Sequence, residues 1–288
     1  MKVAHAESHV LSSSGLEQAQ AFKIRTSAHA FKILSSGLYS DKVAAVLREI
    51  GCNAHDAHIA AGVSHKPIEI KLPNRIDPQF YIKDFGHGLS HNEIMELYTT
   101  YFASTNQESN DFTGAFGLGS KSPFSYTDSF TVTSCHGGKS RIYTCHIGDE
   151  GAPNIALLTE SDTTDTGLTV GFPVKKDDVG AFSTKAQEIY QYFNPLPTII
   201  GGDPIKPVVY ERDFGTYAFK EGAGYYGTPP TIIMGNVHYP IDMSSLNIQV
   251  SSPLYGNANS LKDLVLRFSL GEVQVAASRE ALEYDPKS

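Results

Sequence analysis

The sequence predicts an α+β chain of two domains, on three observations. Regular helical spacing of apolar residues runs through 41–61, alternating strand patterns flank it, and near residue 195 the chain changes to short strands between turn residues. The 288 residues, 41% hydrophobic and 19% charged, suffice for more than one core and have the balance of a folded globular protein.

The first twenty residues carry Lys2, His5, Glu7, His9, Glu17 and Gln18 and no apolar h-region. A secretory signal is therefore not expected, no later apolar run is long enough to span a bilayer, and a cytoplasmic location follows as the expectation. Residues 1–24 are read as an N-terminal arm. In the next segment Val43, Val46, Leu47, Ile50, Ala54 and Ala57 recur at helical spacing, with Ser40 as N-cap and Gly62 as the stop.

Ile68, Ile70 and Leu72 alternate with Glu69 and Lys71, and Phe80 and Ile82 repeat the pattern, so two strands lead to Asp84. Residues 98–122 are rich in Ser, Thr, Asn and Gly, which bury little apolar area and predict a lid-like loop. Strand patterns return at 129–135, 140–147, 154–159 and 166–174. Phe182, Ala186, Ile189, Tyr190 and Phe193 then mark a helix that Asn194-Pro195-Leu196-Pro197 ends. Residues 25–194 are taken as the first domain and 195–288, with its turn-rich 201–204 and 222–230, as a smaller second one.

A net charge of −8 without a Lys/Arg block argues against an open nucleic-acid surface, since phosphate binding depends on clustered cations. The odd cysteine count (Cys52, Cys135, Cys145) and the lack of C-x-x-C spacing fit a reducing compartment. Cys135-His136 and Cys145-His146 suggest zinc, but Gly137-Gly138 reads as a two-residue hairpin turn pairing 135 with 140. Cys145 then faces 130, roughly 17 Å along the strand from Cys135, too far for one ion.

Three ordered motifs carry the chemistry. Glu49-x-x-x-Asn53-x-x-Asp56-Ala57 sets two carboxylates and an amide within roughly 60° on the 41–61 helix, at the edge of its apolar face. Asp84-Phe85-Gly86-His87-Gly88 follows a strand, so a carboxylate is held while two glycines admit a flat ligand close to the backbone. Gly114-Ala115-Phe116-Gly117-Leu118-Gly119-Ser120-Lys121-Ser122 frees backbone N–H groups for anionic oxygens, adds a lysine charge, and precedes a short helix expected near Pro123. The P-loop pattern fails by one residue of register, because Ser120-Lys121 follows Gly119, and the dinucleotide fingerprint fails at Ser122. Together the motifs read as a nucleoside triphosphate pocket.

On these motifs residues 25–175 resemble the ATP-binding superfamily of gyrase, the ninety-kilodalton heat-shock chaperone, histidine kinases and MutL. Residues 30–34 with 36–42 (Ala-Phe-Lys-Ile-Leu and Ser-Gly-Leu-Tyr-Ser-Asp-Lys), Tyr98-Thr99-Thr100-Tyr101-Phe102 and the run from Gly119 to Asp128 are most similar to the rIIA-type proteins of tailed phages. The resemblance implies a two-layer α/β sandwich of the Bergerat type with a mixed sheet, followed by a transducer-like α/β domain. It also implies a slow, lid-gated ATPase using ATP and Mg²⁺.

By the same resemblance Glu49 is the general base, Asn53 the metal ligand, and Asp84 the partner of the adenine amino group. ATP binding is further expected of Asp56, Ala57, Gly86, Gly88, Leu89, Ser104, Gly114, Phe116, Gly117, Leu118, Gly119, Ser120, Lys121 and Thr169. In the family's fourth motif a threonine follows the glycine, whereas Leu168 follows Gly167 here and Thr169 faces the other way. A second-domain lysine reaching the terminal phosphate is expected among Lys206, Lys220 and Lys262. Histidine kinases are the poorer match, because Glu49 and Asp56 are present. The resemblance implies nucleotide-dependent dimerisation through the N-terminal arm and a phage or host protein partner, with any membrane association indirect. It also implies a full-length protein longer than this chain. The alternative is a nucleotide-binding interaction module that does not turn over.

Overall fold

The computed structural model describes residues 28–101, 117–221, 227–245 and 261–284. The 41–61 periodicity forms helix α2 (Lys42–Ala60), preceded by α1 (Ala28–Lys32) and a π-helical turn, Ile33–Gly37. Val46, Leu47, Ile50 and Ala54 bury its apolar face, each large side chain contributing about 1.5–3 kcal/mol of transfer free energy. Asp41, not Ser40, caps α2: its extended backbone lets the carboxylate accept from Ala44 N at 3.0 Å. The Ser40 hydroxyl instead donates to Glu280 at 3.0 Å. Past the other end Gly62, at φ 70°, takes the left-handed turn that ends the helix.

A seven-stranded sheet runs β5-β4-β3-β6-β2-β1-β7, with β1 Glu69–Lys71, β2 Gln79–Lys83, β3 Ser129–His136, β4 Lys139–Ile147, β5 Pro153–Asp162, β6 Gly167–Pro173 and β7 Thr198–Ile200. Every pairing is antiparallel except the parallel β1–β7, so the sheet is mixed. Its period-2 pattern buries Phe80, Ile82, Phe130, Val132, Tyr143, Val170 and Phe172 in the core that α2 and helix α4 (Val179–Tyr190) share. The Tyr190 hydroxyl donates to Leu47 O at 2.6 Å and ties the two helices. The β3–β4 hairpin turns at Gly137 (φ 60°) and Gly138 (φ 78°), in the register Cys135↔Ser140 and Phe130↔Cys145. All three cysteines are free.

Helix α3 (His91–Thr99) was not anticipated, although Ser90 and Glu93 form a capping box that the S-x-x-E spacing announces. Strand β7 comes from beyond residue 195, so a division at that point removes an edge strand from the first sheet. The second sheet runs β11-β10-β12-β9-β8, from β8 Tyr210–Asp213, β9 Tyr217–Lys220, β10 Thr231–Met234, β11 Val237–Pro240 and β12 Leu264–Phe268. Met234, Tyr239, Val275 and Leu282 join one buried cluster with Ile50 and Cys52 of α2. The architecture is thus a two-layer α/β sandwich with a mixed sheet, followed by a smaller sheet. After β12 a tight turn, bridged at Val275↔Leu282, rests on α2: Arg48 donates to Ser278 O at 3.0 Å, and Ser40 and Asp41 N–H groups bond Glu280.

Candidate functional site

A cavity of about 520 Å³ opens between α2, α3, the ends of β2 and β6, and the loop at 117–120. Helical spacing brings Glu49, Asn53, Asp56 and Ala57 of α2 into its wall, where Glu49 and Asp56 are buried. Across the cavity Asp84 follows β2. Its Oδ1 accepts Gly86 N at 2.9 Å and Leu168 N at 3.1 Å. Burial pushes this carboxyl up to about 6, against the two N–H donors that favour its charged form. Both bonds fall on one oxygen.

Each motif glycine has a steric reason. A Cβ on Gly86 would lie 3.0 Å from Ala57 O, and one on Gly88, at φ 67°, would lie 2.2 Å from Cys135 O. Side chains there would push the Asp84 loop off α2 and β3. His58 holds the loop from behind: its Nε2 accepts Phe85 N at 2.8 Å and its Nδ1 lies 2.9 Å from Lys66 O. Burial lowers the His58 pKa, which suits the neutral tautomer this pairing needs. Gly88 and Leu89 line the wall, and Leu89 N donates to Ser134 Oγ at 2.8 Å.

Gly117, Leu118, Gly119 and Ser120 close the other end. An added Cβ on Gly119 would meet Glu49 Oε2 at 2.9 Å and Asn53 Nδ2 at 3.2 Å, so the loop backbone lies directly on the first motif. Ser120 Oγ is buried without a hydrogen-bond partner. The short helix is 3₁₀ and runs Gly119–Ser125, starting before the expected Pro123.

Three expected binding residues, Gly86, Lys121 and Thr169, do not reach the wall. Lys121 is 1% exposed and donates through Nζ to Gly117 O at 3.0 Å, which ties the loop to itself; burial lowers its pKa to about 8. Thr169 pairs with Lys83 and Thr133 on β6, and strand alternation places its neighbours Leu168 and Val170, not Thr169, in the wall. Gly86 supports the site from below. Ser104, Gly114 and Phe116, the arm 1–24 and most of the expected lid lie outside the described residues.

Sequence reasoning missed Tyr39, Glu93, Leu97, Tyr98, His136, Ala277 and Arg279, all in the wall. Arg279 matters most. It is 4% exposed, and its Nη1 donates to Glu49 Oε2 at 3.3 Å. Arg48 Nε lies 3.5 Å from Glu49 Oε1, close enough for an ion pair, although neither atom has a hydrogen bond of good geometry. Glu49 is therefore held between two guanidinium groups, one from the far end of the chain. None of Lys206, Lys220 and Lys262 lines the cavity, and the Lys220 ammonium instead reaches Thr228 Oγ1 and the Tyr192 ring.

Among the described residues no group of three or more His, Cys, Asp or Glu is arranged to hold a metal. No helix there is long and apolar enough to cross a membrane. Residues 40–168 match the family model of histidine kinase-, DNA gyrase B- and HSP90-like ATPases. No curated protein matches the chain. The match covers less than half of the chain and supports that ATP-binding superfamily for the matched segment alone. Ala277 and Arg279 come from outside the matched residues.

Proposed function

We propose that this cavity binds ATP with Mg²⁺ and hydrolyses it slowly. The observation that carries the reading is the seat of Gly119 on Glu49 and Asn53, which brings a phosphate-type loop, a carboxylate and an amide to one end of a cavity whose other end is Asp84. The polar groups fit the ligand. The volume lies within the roughly 300–1,000 Å³ usual for small-molecule sites, Ser120 Oγ and Glu49 Oε1 are buried without hydrogen bonds, and one oxygen of Asp84 carries neither N–H bond.

In this reading the uncommitted oxygen of Asp84 accepts the adenine amino group, while Leu89, Leu97, Leu168 and Val170 enclose the ring. The N–H groups of Gly117 to Ser120 and the Ser120 hydroxyl hold the phosphates, and Asn53 is the protein's ligand for the metal. A magnesium ion held there would supply positive charge against the phosphate oxygens. Glu49 orients the attacking water and takes its proton. Arg279 fills the role for which a second-domain lysine was expected, countering charge at the terminal phosphate. Glu49 must leave the Arg279 and Arg48 guanidiniums to act, which is consistent with slow turnover gated by a conformational step.

Nucleotide-dependent closure and dimerisation, an rIIA-like role and a phage or host protein partner belong to the same proposal and rest on the resemblance of the motif-bearing segment. The pairing of Glu49 with two arginines also favours a second reading, in which ATP is bound as a structural ligand without turnover. ATP hydrolysis by wild type and Glu49→Ala separates the two: a rate above background that Glu49→Ala abolishes supports the enzyme, and equal background rates in both leave only binding.

A further inference from the structure

A second cavity, of about 810 Å³, lies on the opposite end of the Gly119–Ser125 helix from the nucleotide site. Gly119 and Ser120 line the first cavity, whereas Phe124 and Ser125 line the second. Its remaining wall comes from α1, from the first residue of α2, and from the chain ends around β3, β4 and β6.

The lining is cationic in an acidic protein. Lys32, Lys42 and Lys175 share the lining with one carboxylate, Asp128, in a chain of net charge −8. None of the ion pairs among the described residues uses Lys42 or Lys175. Lys175 is instead positioned by aromatic structure: its N–H donates to the Tyr126 hydroxyl at 3.0 Å, that hydroxyl donates to Asp178 at 2.7 Å, and its ammonium stands 5.6 Å from the Tyr126 ring. Independently, Ser125 is 4% exposed and its hydroxyl has no hydrogen-bond partner. A buried hydroxyl without a partner is destabilising unless a ligand bonds it.

We propose that this second cavity binds a phosphate-bearing small molecule, with Lys42 and Lys175 as point charges on the phosphate and Ser125 as a hydroxyl donor to it. Lysine suits a phosphate as a compact charge with rotatable donors. Asp128, in the same lining, opposes any bound anion, so binding rests on the lysine charges outweighing it. The site does not depend on the nucleotide reading, since none of these residues lines the first cavity.

Inorganic phosphate is the probe, titrated into the full chain and followed by amide shifts in two-dimensional NMR. Saturable shifts at Ser125, Tyr126 and Lys175 are expected, whether or not Gly117 to Ser120 also shift. Lys42→Ala with Lys175→Ala should weaken binding at least about tenfold, the loss expected for charge-assisted hydrogen bonds. Asp128→Asn should tighten it, a change that a merely structural role would not produce. Matched melting curves establish that each variant is folded, and Lys42→Arg with Lys175→Arg should retain binding. The proposal is overturned if phosphate shifts only Gly117 to Ser120, if no saturable shift occurs, or if the double alanine variant binds as wild type does.

Discussion

Gly119→Ala tests how tightly the phosphate loop is seated on the reacting groups. The backbone there is not in the left-handed region, so alanine is compatible with the chain and the whole effect is steric. Its Cβ would stand 2.9 Å from Glu49 Oε2 and 3.2 Å from Asn53 Nδ2. The Glu49 carboxylate is the flexible end of a side chain, yet Arg279 and Arg48 fix it, so relief requires either breaking that pairing or lifting the loop by a few tenths of an ångström. Overpacking of this kind costs about 1–3 kcal/mol. Placed on the site rather than the fold, that converts to a loss of roughly 5- to 150-fold in kcat/KM for MgATP. The melting temperature should fall by no more than about 4 °C per kcal/mol lost to the fold. Steady-state hydrolysis with a coupled assay reads the first number and calorimetry the second. If kcat/KM stays within twofold of wild type, Gly119 does not touch the reacting end and the site has been built wrongly.

Gly180→Ala, on the exposed first turn of α4 where an added Cβ meets nothing within 4 Å, should stabilise the fold by about 0.4–1 kcal/mol through the unfolded chain, readable in urea melts. Asp84 predicts a pH dependence. Its folded-state value, about 6, lies above the ordinary 3.8, so the folded protein holds the extra proton between those values. The contribution to stability therefore falls as pH rises through that window. The adenine amino group needs the charged acceptor, so adenosine affinity by calorimetry should drop about tenfold between pH 7.5 and 5, and Asp84→Asn should flatten the profile. Arg279→Met leaves Glu49 with Arg48 alone in a buried setting, a loss on the order of 3 kcal/mol. Thermal melting should show it, and an unchanged melting temperature would mean that the pair contributes nothing.

What was legible in the sequence is what local spacing dictates. The α2 stripe, the strands around Asp84 and the Cys135↔Ser140 register follow from periods of 3.6 and 2 and from one turn dipeptide. Helix α3 was legible too, through Ser90 and Glu93, and was overlooked. Arg279 was not legible: its pairing with Glu49 spans 230 residues of chain, and a lone arginine in a turn announces no partner. The same long-range turn took the Ser40 hydroxyl for Glu280 and left the cap of α2 to Asp41. Lys121 lies outside the wall for a physical reason. A lysine beside three glycines suggests a phosphate ligand, yet the 3₁₀ turn directs its ammonium onto the Gly117 carbonyl. The placement of Thr169 outside the wall follows from strand alternation alone, since Leu168 holds the position after Gly167.

Crystallographic difference density, after co-crystallisation with the magnesium salt of a non-hydrolysable ATP analogue, tests the central claim most directly. One nucleotide is expected in the 520 Å³ cavity, its base edge bonded to Asp84, its phosphates along Gly117 to Ser120, and its metal on Asn53. Nucleotide density on another surface, or none at saturating ligand, would contradict it.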